Sequence, residues 1–320
     1  MSEVVRIGLL GASQIVKNRH ASALAQARNA EVIGVASRSQ DKAATYAETL
    51  ALGKPYTYEG MLADPHIDAI LCTLPMSLHC EWIIRSLEAG KHVLCEKPMV
   101  LSEGEAINIR QACRRNGKVA MEAFSHLFTD QMTVIPKLLA SRRIGDIRII
   151  RAEVLYPTYD WDNDTRAKTE LGGRVLYEAG CYCMKSIRDW MADEPDEYKG
   201  MAVHREDGLL QTSYAGLMSF PKSRIAYLCT SMETKFRAVA DIIGTEGRIE
   251  VCDLFDGKTL RVVPTNGDPE EIQLQTRDRF CTMIESFCDS VIHDLPPRVT
   301  IDDSLANIRA LSKLDSSAYT

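Results

Sequence analysis

The chain lacks any apolar run of the roughly 20 residues needed to cross a bilayer. Its first stretch, MSEVVRIGLLGAS, has neither the basic region nor the small-residue cleavage site of a secretory leader. A cytoplasmic protein with no membrane partner is therefore expected. CxxC pairs are absent too: ten cysteines lie scattered from Cys72 to Cys288, and a reducing compartment would leave most of them as small buried hydrophobes. Cys181 and Cys183 have no histidine or further cysteine at ligand spacing, so no metal site is expected. Basic residues do not cluster and the net charge is −6, which argues against nucleic acid as a partner, since binding it needs a concentrated basic face. Repeats, low-complexity segments and a flexible linker are also missing. What remains, 45% hydrophobic and 26% charged residues, is an ordinary globular composition.

At 320 residues, two domains are expected. In the first part, strands and helices alternate as in a parallel, doubly wound α/β sheet. Val4 to Leu10, Glu31 to Ser37, Ile67 to Cys72, Lys91 to Cys95 and Lys118 to Met121 read as strands, and Gln40 to Leu52 as a helix. A further helix starts at Ser102, where Ser102 and Glu105 form a capping box, and Asn116-Gly117 ends it. After about Phe124 the pattern changes. Ile149 to Tyr156, Leu209 to Phe220, Arg224 to Met232 and Val239 to Gly244 read as long strands of an open, mostly antiparallel sheet, with Pro221-Lys222-Ser223 as a hairpin link. Asp302 to Ser316 reads as a helix. The domains are placed at 1–123 and 124–320, with the last helix packing back on the first.

The first strand runs straight into Gly11-Ala12-Ser13-Gln14-Ile15-Val16, where a glycine lets the backbone approach a pyrophosphate and the next helix offers amide donors. Two of the three glycines of GxGxxG are missing, with Ser13 and Val16 in their places, and on its own the turn is equally a plain strand–helix connection. At the end of the second strand the acidic residue that holds ribose hydroxyls in NAD enzymes is absent. Ser37-Arg38-Ser39 stands there, with hydroxyls and a guanidinium that suit the 2′-phosphate of NADP(H), or a solvated turn.

The segment Ala89-Gly90-Lys91-His92-Val93-Leu94-Cys95-Glu96-Lys97-Pro98 resembles the signature of the glucose-fructose oxidoreductase/inositol dehydrogenase/MocA-like family. Met121-Glu122-Ala123-Phe124, Ile144-Gly145-Asp146, Leu171-Gly172-Gly173, Gly180-Cys181-Tyr182 and Gly244-Thr245-Glu246-Gly247 extend the likeness in order over nearly the whole chain. The resemblance implies an N-terminal Rossmann domain and a C-terminal α/β domain whose open sheet joins subunits into a homodimer or homotetramer. It implies a lysine, Lys97, beside the nicotinamide and the reacting oxygen, with a cis bond to Pro98. It also implies a cofactor site made of Gly11, Ser13, Gln14, Ile15, Ser37, Arg38, Thr73, Leu74, His79, Glu96, Lys97 and Arg166.

Many members of that family carry DxGxHxxD, where aspartate and histidine act on the substrate hydroxyl. Here the stretch is Glu178-Ala179-Gly180-Cys181-Tyr182-Cys183-Met184-Lys185. The tyrosine resembles the branch that includes deoxysugar C3-ketoreductases and dimeric dihydrodiol/xylose dehydrogenases. The resemblance then implies an NADP(H)-dependent oxidoreductase acting on a sugar-like substrate, most simply a keto-sugar reductase, with Lys97 and Tyr182 catalytic and Phe124, His126, Glu178 and Tyr182 lining the pocket. An aldose or trans-dihydrodiol dehydrogenase is the close alternative, and a non-catalytic cofactor-binding regulator the distant one. Arg174, Tyr177 and Lys185 depart from the family pattern and are expected to reshape the pocket.

Overall fold

The alternation in the first part folds as a six-stranded sheet in the order β3-β2-β1-β4-β5-β6, parallel throughout. Its strands are β1 (Val5–Leu10), β2 (Ala30–Ala36), β3 (Lys54–Tyr56), β4 (Ala69–Cys72), β5 (His92–Cys95) and β6 (Ala120–Glu122). The helices between them are α1 (Ala21–Gln26), α2 (Gln40–Thr49), α3 (Tyr58–Ala63), α4 (His79–Glu88) and α5 (Glu103–Asn116). The computed structural model describes residues 3–206 and 208–319. The central strands are apolar on both faces, as strands covered by helices on either side must be, and every residue of β4 is buried. At the start of α5 the Ser102 hydroxyl accepts from the Glu105 N–H, and the Glu105 carboxylate reaches back one residue further, to the Leu101 N–H at 2.7 Å. Gly117 ends the helix at φ 60°.

The consecutive strands of the second part form an eight-stranded sheet, β14-β13-β12-β11-β7-β10-β9-β8. They are β7 (Ile147–Pro157), β8 (Glu197–His204), β9 (Gln211–Phe220), β10 (Arg224–Ser231), β11 (Glu233–Gly244), β12 (Gly247–Val251), β13 (Thr259–Pro264) and β14 (Glu270–Gln273). Only the β7–β10 pair is parallel among the described residues. The β9–β10 link is the expected Pro221-Lys222-Ser223, with Lys222 and Ser223 at φ 64° and 54°. One face of the sheet is covered by α7 (Val175–Glu178) and α8 (Gly180–Met191), which pack on β7, β9 and β10. The other leaves Met201, Leu217, Ile225 and Tyr227 exposed on neighbouring strands, Leu217 directly opposite Tyr227. α6 (Gln131–Ala140) precedes the sheet.

The change of pattern near Phe124 is close to a division of the chain, but the later course differs from the sequence reading. Contacts group Met1–Ser125 with Asp278–Ala306 as one unit, and His126–Arg277 with Asn307–Thr320 as the other. The return to the first unit is made by α9 (Arg279–His293), which packs on α1, β1 and β2. α9 is fastened by Asn29, whose amide donates to the Glu285 carbonyl (3.0 Å) and to Asp289 (2.7 Å). The last helix, α10 (Ile301–Ser316), groups with the first unit as far as Ala306 and with the second from Asn307.

Candidate active site

In the first unit the sheet order reverses between β1 and β4, which opens a crevice at their carboxyl ends. Gly11 lines it. Its φ is +115°, and a Cβ there would lie 2.9 Å from the Thr73 hydroxyl oxygen and 3.1 Å from the Thr73 carbonyl. The Thr73 hydroxyl itself donates to the Gly11 carbonyl at 2.8 Å. Both backbone conformation and space therefore require glycine at this one position of the motif. Gly11→Ala is expected to cost roughly 1–3 kcal/mol of stability, read from urea denaturation; an unchanged midpoint would show that the turn is not held as described.

Ser13, at the second glycine position, places its hydroxyl oxygen out of solvent with no protein partner. Ile15 is half-buried, and exposed Gln14 bonds Asn18 at 3.1 Å. At the β2 end Ser37 is buried, accepting from the Ser39 N–H at 3.3 Å, while Arg38 is exposed. The Tyr58 hydroxyl meets the Arg38 backbone, and burial pushes this phenol up. Its ring stands edge-on to Trp82 at 4.9 Å, and the Arg85 guanidinium lies over Trp82 at 3.9 Å. The composition of these loops thus fits a dinucleotide.

Glu96-Lys97-Pro98 follows β5, and the Lys97–Pro98 bond is cis. Glu96 accepts from the Lys97 N–H at 3.4 Å on one oxygen and contacts His20 at 2.6 Å on the other. Burial alone would push its carboxyl up; the His20 bond and the neighbouring Lys97 charge outweigh this and hold it below the usual carboxylate range. His79 is fully buried, with Nδ1 2.9 Å from the Pro98 carbonyl and Nε2 2.8 Å from the Leu74 carbonyl. Burial holds this imidazole below its usual pKa, so the neutral ring donates its one N–H to one of these two carbonyls, between the Thr73-Leu74 and Lys97-Pro98 loops. Cys72 Sγ, a ring nitrogen of His79 and Cys95 Sγ lie within 4.8 Å of one another in a buried cluster. Glu122, from the family-like Met121-Glu122-Ala123-Phe124, accepts from the Met99 N–H (2.9 Å) and the Ser304 hydroxyl (2.5 Å), fixing the chain just after Pro98. Phe124 is buried.

In the second unit Tyr182 stands in the first turn of α8. Its ring meets His126 edge-on at 5.0 Å and Phe255 at 4.8 Å, and Phe236 stacks beyond Phe255 at 6.4 Å. His126 is buried, Tyr182 and Phe255 are half-buried, and Phe236 is 56% exposed, so the rings run from the interior to the surface. The turn before Tyr182 is held by α10 and β9. Asn307 donates to the Cys181 carbonyl (3.3 Å), Gln211 accepts from the Leu176 N–H (3.1 Å), and Asp315 takes bonds from both Gln211 and Arg174 at 3.0 Å.

The residues that depart from the family pattern are thereby accounted for. Arg174 is spent on Asp315, Tyr177 is buried with its hydroxyl 3.4 Å from Ser312, and Lys185 is buried and paired with Asp189 one turn on. Arg166 forks onto Asp164 and lies over the Tyr156 ring at 4.9 Å; Glu178, half-buried, adds its charge nearby. Sequence reading missed His20, Tyr58, Gln211, Asn307 and Asp315. Each works through a partner distant in the chain, and none sits in a motif.

Residues 5–124 match the family described as "Oxidoreductase family, NAD-binding Rossmann fold", and residues 133–250 match the GFO/IDH/MocA C-terminal domain. An uncharacterized oxidoreductase of Rhizobium meliloti is 30% identical over 331 residues, covering 99% of this chain and 97% of its own. A dTDP-3,4-didehydro-2,6-dideoxy-alpha-D-glucose 3-reductase of Saccharopolyspora spinosa is 28% identical, covering 91% and 89%. Among solved structures, a 3-ketoreductase from Actinomadura kijaniata in complex with NADP and TDP-benzene superposes with a TM-score of 0.91 at 27% identity, over 98% of each chain. With both family domains matched in order, the chain belongs to the Gfo/Idh/MocA family of oxidoreductases.

Proposed function

We propose that this oxidoreductase uses NADP(H) and acts on a sugar-like substrate, reducing the carbonyl of a nucleotide-linked keto-sugar, with Lys97 and Tyr182 as the catalytic pair. The observation that carries the reading is Glu96-Lys97-Pro98 at the carboxyl end of β5, in a crevice whose loops suit a dinucleotide. When bound, the nicotinamide supplies a hydride to the carbonyl carbon. The protein's part is to hold the oxygen and give it a proton. The Lys97 ammonium polarises that oxygen and steadies the negative charge that develops on it. Tyr182 donates the proton to that oxygen.

A nucleotide-linked substrate is favoured by the rings beyond Tyr182. Phe255 and Phe236 offer an apolar face leading outward, suited to the base-bearing end of such a molecule rather than to a free aldose alone. The likeness to ketoreductases of dTDP-linked deoxysugars supports the same choice. The test is a screen of NADPH oxidation with dTDP-linked 3-keto-sugars, beside NADP+ reduction with aldoses and trans-dihydrodiols. Turnover with the keto-sugars and little with the others is expected. Preference for an aldose or diol would overturn the substrate choice, and no turnover with any would favour a cofactor-binding regulator.

The cofactor preference has its own test. Arg38→Asp removes the guanidinium placed for the 2′-phosphate and puts a like charge in its stead. A charge-assisted bond is worth about 1.5–3 kcal/mol, so NADPH binding should weaken by roughly 10- to 100-fold with NADH binding little altered, measured by fluorescence titration. Equal binding of both cofactors by the native protein would remove the claim.

The proposed assembly is a homo-oligomer formed through the uncovered face of the second sheet. Met201, Leu217, Ile225 and Tyr227 make that face apolar across three adjacent strands, a larger patch than isolated surface hydrophobes account for. Tyr227→Glu puts a charge at its centre and should leave a monomer of native fold in light scattering at micromolar concentration. An unchanged mass in that variant would place the interface elsewhere.

A further inference from the structure

Cys72 and Cys95 have no part in the reading above. They are the last residues of β4 and β5 and stand opposite each other in the register of that parallel pair, so their side chains leave the sheet on the same face. His79 is the first residue of α4, the helix that joins the two strands. Its ring brings one nitrogen within 4.8 Å of both sulfurs, and all three side chains are shut off from solvent.

The neutral His79 ring has one N–H for two carbonyls, Pro98 on Nδ1 and Leu74 on Nε2. Its other nitrogen therefore turns a lone pair on a carbonyl oxygen, two buried acceptors at hydrogen-bond distance with no proton between them. Such a pair is costly and asks for a ligand.

Two thiols and a bare imidazole nitrogen are the donors that a zinc-type ion selects. Once the thiols have lost their protons, two thiolates and a neutral ring around a divalent ion sum to zero charge, which suits burial among apolar side chains. Bonds of about 2.3 Å to sulfur and 2.0–2.1 Å to nitrogen set the three ligand atoms roughly 3.5–3.8 Å apart. Reaching that spacing from the present one takes a movement of about 1 Å, with the carbonyl that faces the bare nitrogen turned aside. Three protein ligands leave the fourth place of the tetrahedron to that carbonyl or to water.

We propose that Cys72, His79 and Cys95 form a binding site for a divalent ion of the zinc type, which ties the ends of β4 and β5 to the start of α4. Each metal–sulfur bond replaces one S–H bond, and the two protons pass to solvent.

The test loads the chelator-treated full-length protein with Cd2+ or Zn2+. Cadmium should give the near-ultraviolet absorbance of a thiolate complex and saturate at one equivalent, with about two protons released per ion near neutral pH. X-ray absorption of the zinc form should show two sulfur ligands at about 2.3 Å and nitrogen at about 2.0–2.1 Å. Nitrogen NMR should show one ring nitrogen of His79 shifting on loading. Cys72→Ala, Cys95→Ala and His79→Gln should each weaken binding by more than the roughly 10- to 100-fold lost when only the partner of a ligand is removed. Cys252→Ala, at an exposed thiol, should bind as the native protein does.

A zinc spectrum without sulfur would overturn the proposal. So would uptake that never saturates, native affinity in Cys72→Ala or Cys95→Ala, or a His79 ring signal unmoved by the ion. Loss of the ion in Cys252→Ala would place it on the exposed thiol instead. Should a variant fail to fold, the X-ray and NMR results on the native chain decide by themselves.

Discussion

Replacing Lys97 with methionine is expected to lower kcat for carbonyl reduction by roughly 10²- to 10³-fold while NADPH binds nearly as before. Methionine keeps an unbranched apolar stem of similar reach and deletes the ammonium, so the change isolates the charge. Hydride delivery turns a neutral carbonyl into an alkoxide, and a donor placed where that charge grows contributes about 2.7–4 kcal/mol to the transition state and little to the ground state. The deficit should therefore fall on kcat rather than on KM. Single-turnover NADPH oxidation with the substrate found by the keto-sugar screen measures it, and fluorescence titration checks the cofactor. A variant with near-native turnover would remove Lys97 from the chemistry; one that loses NADPH affinity in proportion would make it a cofactor ligand and nothing more.

Tyr182→Phe should cost about 10²-fold or more in turnover, the scale of a lost general acid. The substitution is mild for the fold. The ring keeps its edge-on contacts with His126 and Phe255, and the bonds that hold the preceding turn, from Asn307, Gln211 and Asp315, involve main-chain atoms or other side chains. Thermal stability and cofactor affinity should stay within the spread of ordinary surface variants. Turnover close to native would shift the proton to Lys97 or to water. On the proposed pairing of Lys97 and Tyr182, the two substitutions made together should lose less than the product of the single losses.

Much of the fold was legible because it is written in local signals. Buried strands β1, β2, β4 and β5 read as apolar runs, the capping box marked α5, and Pro221-Lys222-Ser223 marked a hairpin. Strands without such a signal were missed. β3 is three residues long, and β8, with the sequence EYKGMAVH, points Met201 and Val203 outward, so its apolar alternation reports the uncovered face rather than a core. β12 to β14 carry charges at many of their exposed positions and read as irregular.

At the site, Gly11, Glu96-Lys97-Pro98 and Gly180-Cys181-Tyr182 were recognisable because each is a short motif. His79 was recognisable as a position, but nothing in a sequence says that both nitrogens of its ring will face main-chain carbonyls. His20 and Glu96, or Ser304 and Glu122 at a separation of 182 residues, are pairings that only the folded chain makes. The cysteines illustrate the same limit. Cys72, Cys95, Cys181, Cys183, Cys281 and Cys288 are buried as composition suggested, yet Cys252 is exposed for no reason that its neighbours in sequence reveal.

The interrupted course of the first unit bears on how the protein comes into being. Asp278–Ala306 supplies α9, the partners of Arg28 and Asn29, and Ser304 for Glu122, and all of it follows His126–Arg277 in order of synthesis. As the chain leaves the ribosome, the Gly11 crevice can form its parallel strands early, but the apolar side that α9 covers stays bare until the whole intervening segment has emerged. At about 5–20 residues per second that is an exposure of many seconds, long on the scale of local folding. Pairings across more than 250 residues also slow the final closure. Newly made chains should accordingly be most open to holding chaperones and to aggregation in this interval, and dinucleotide affinity should appear late, when the last third of the polypeptide has been made.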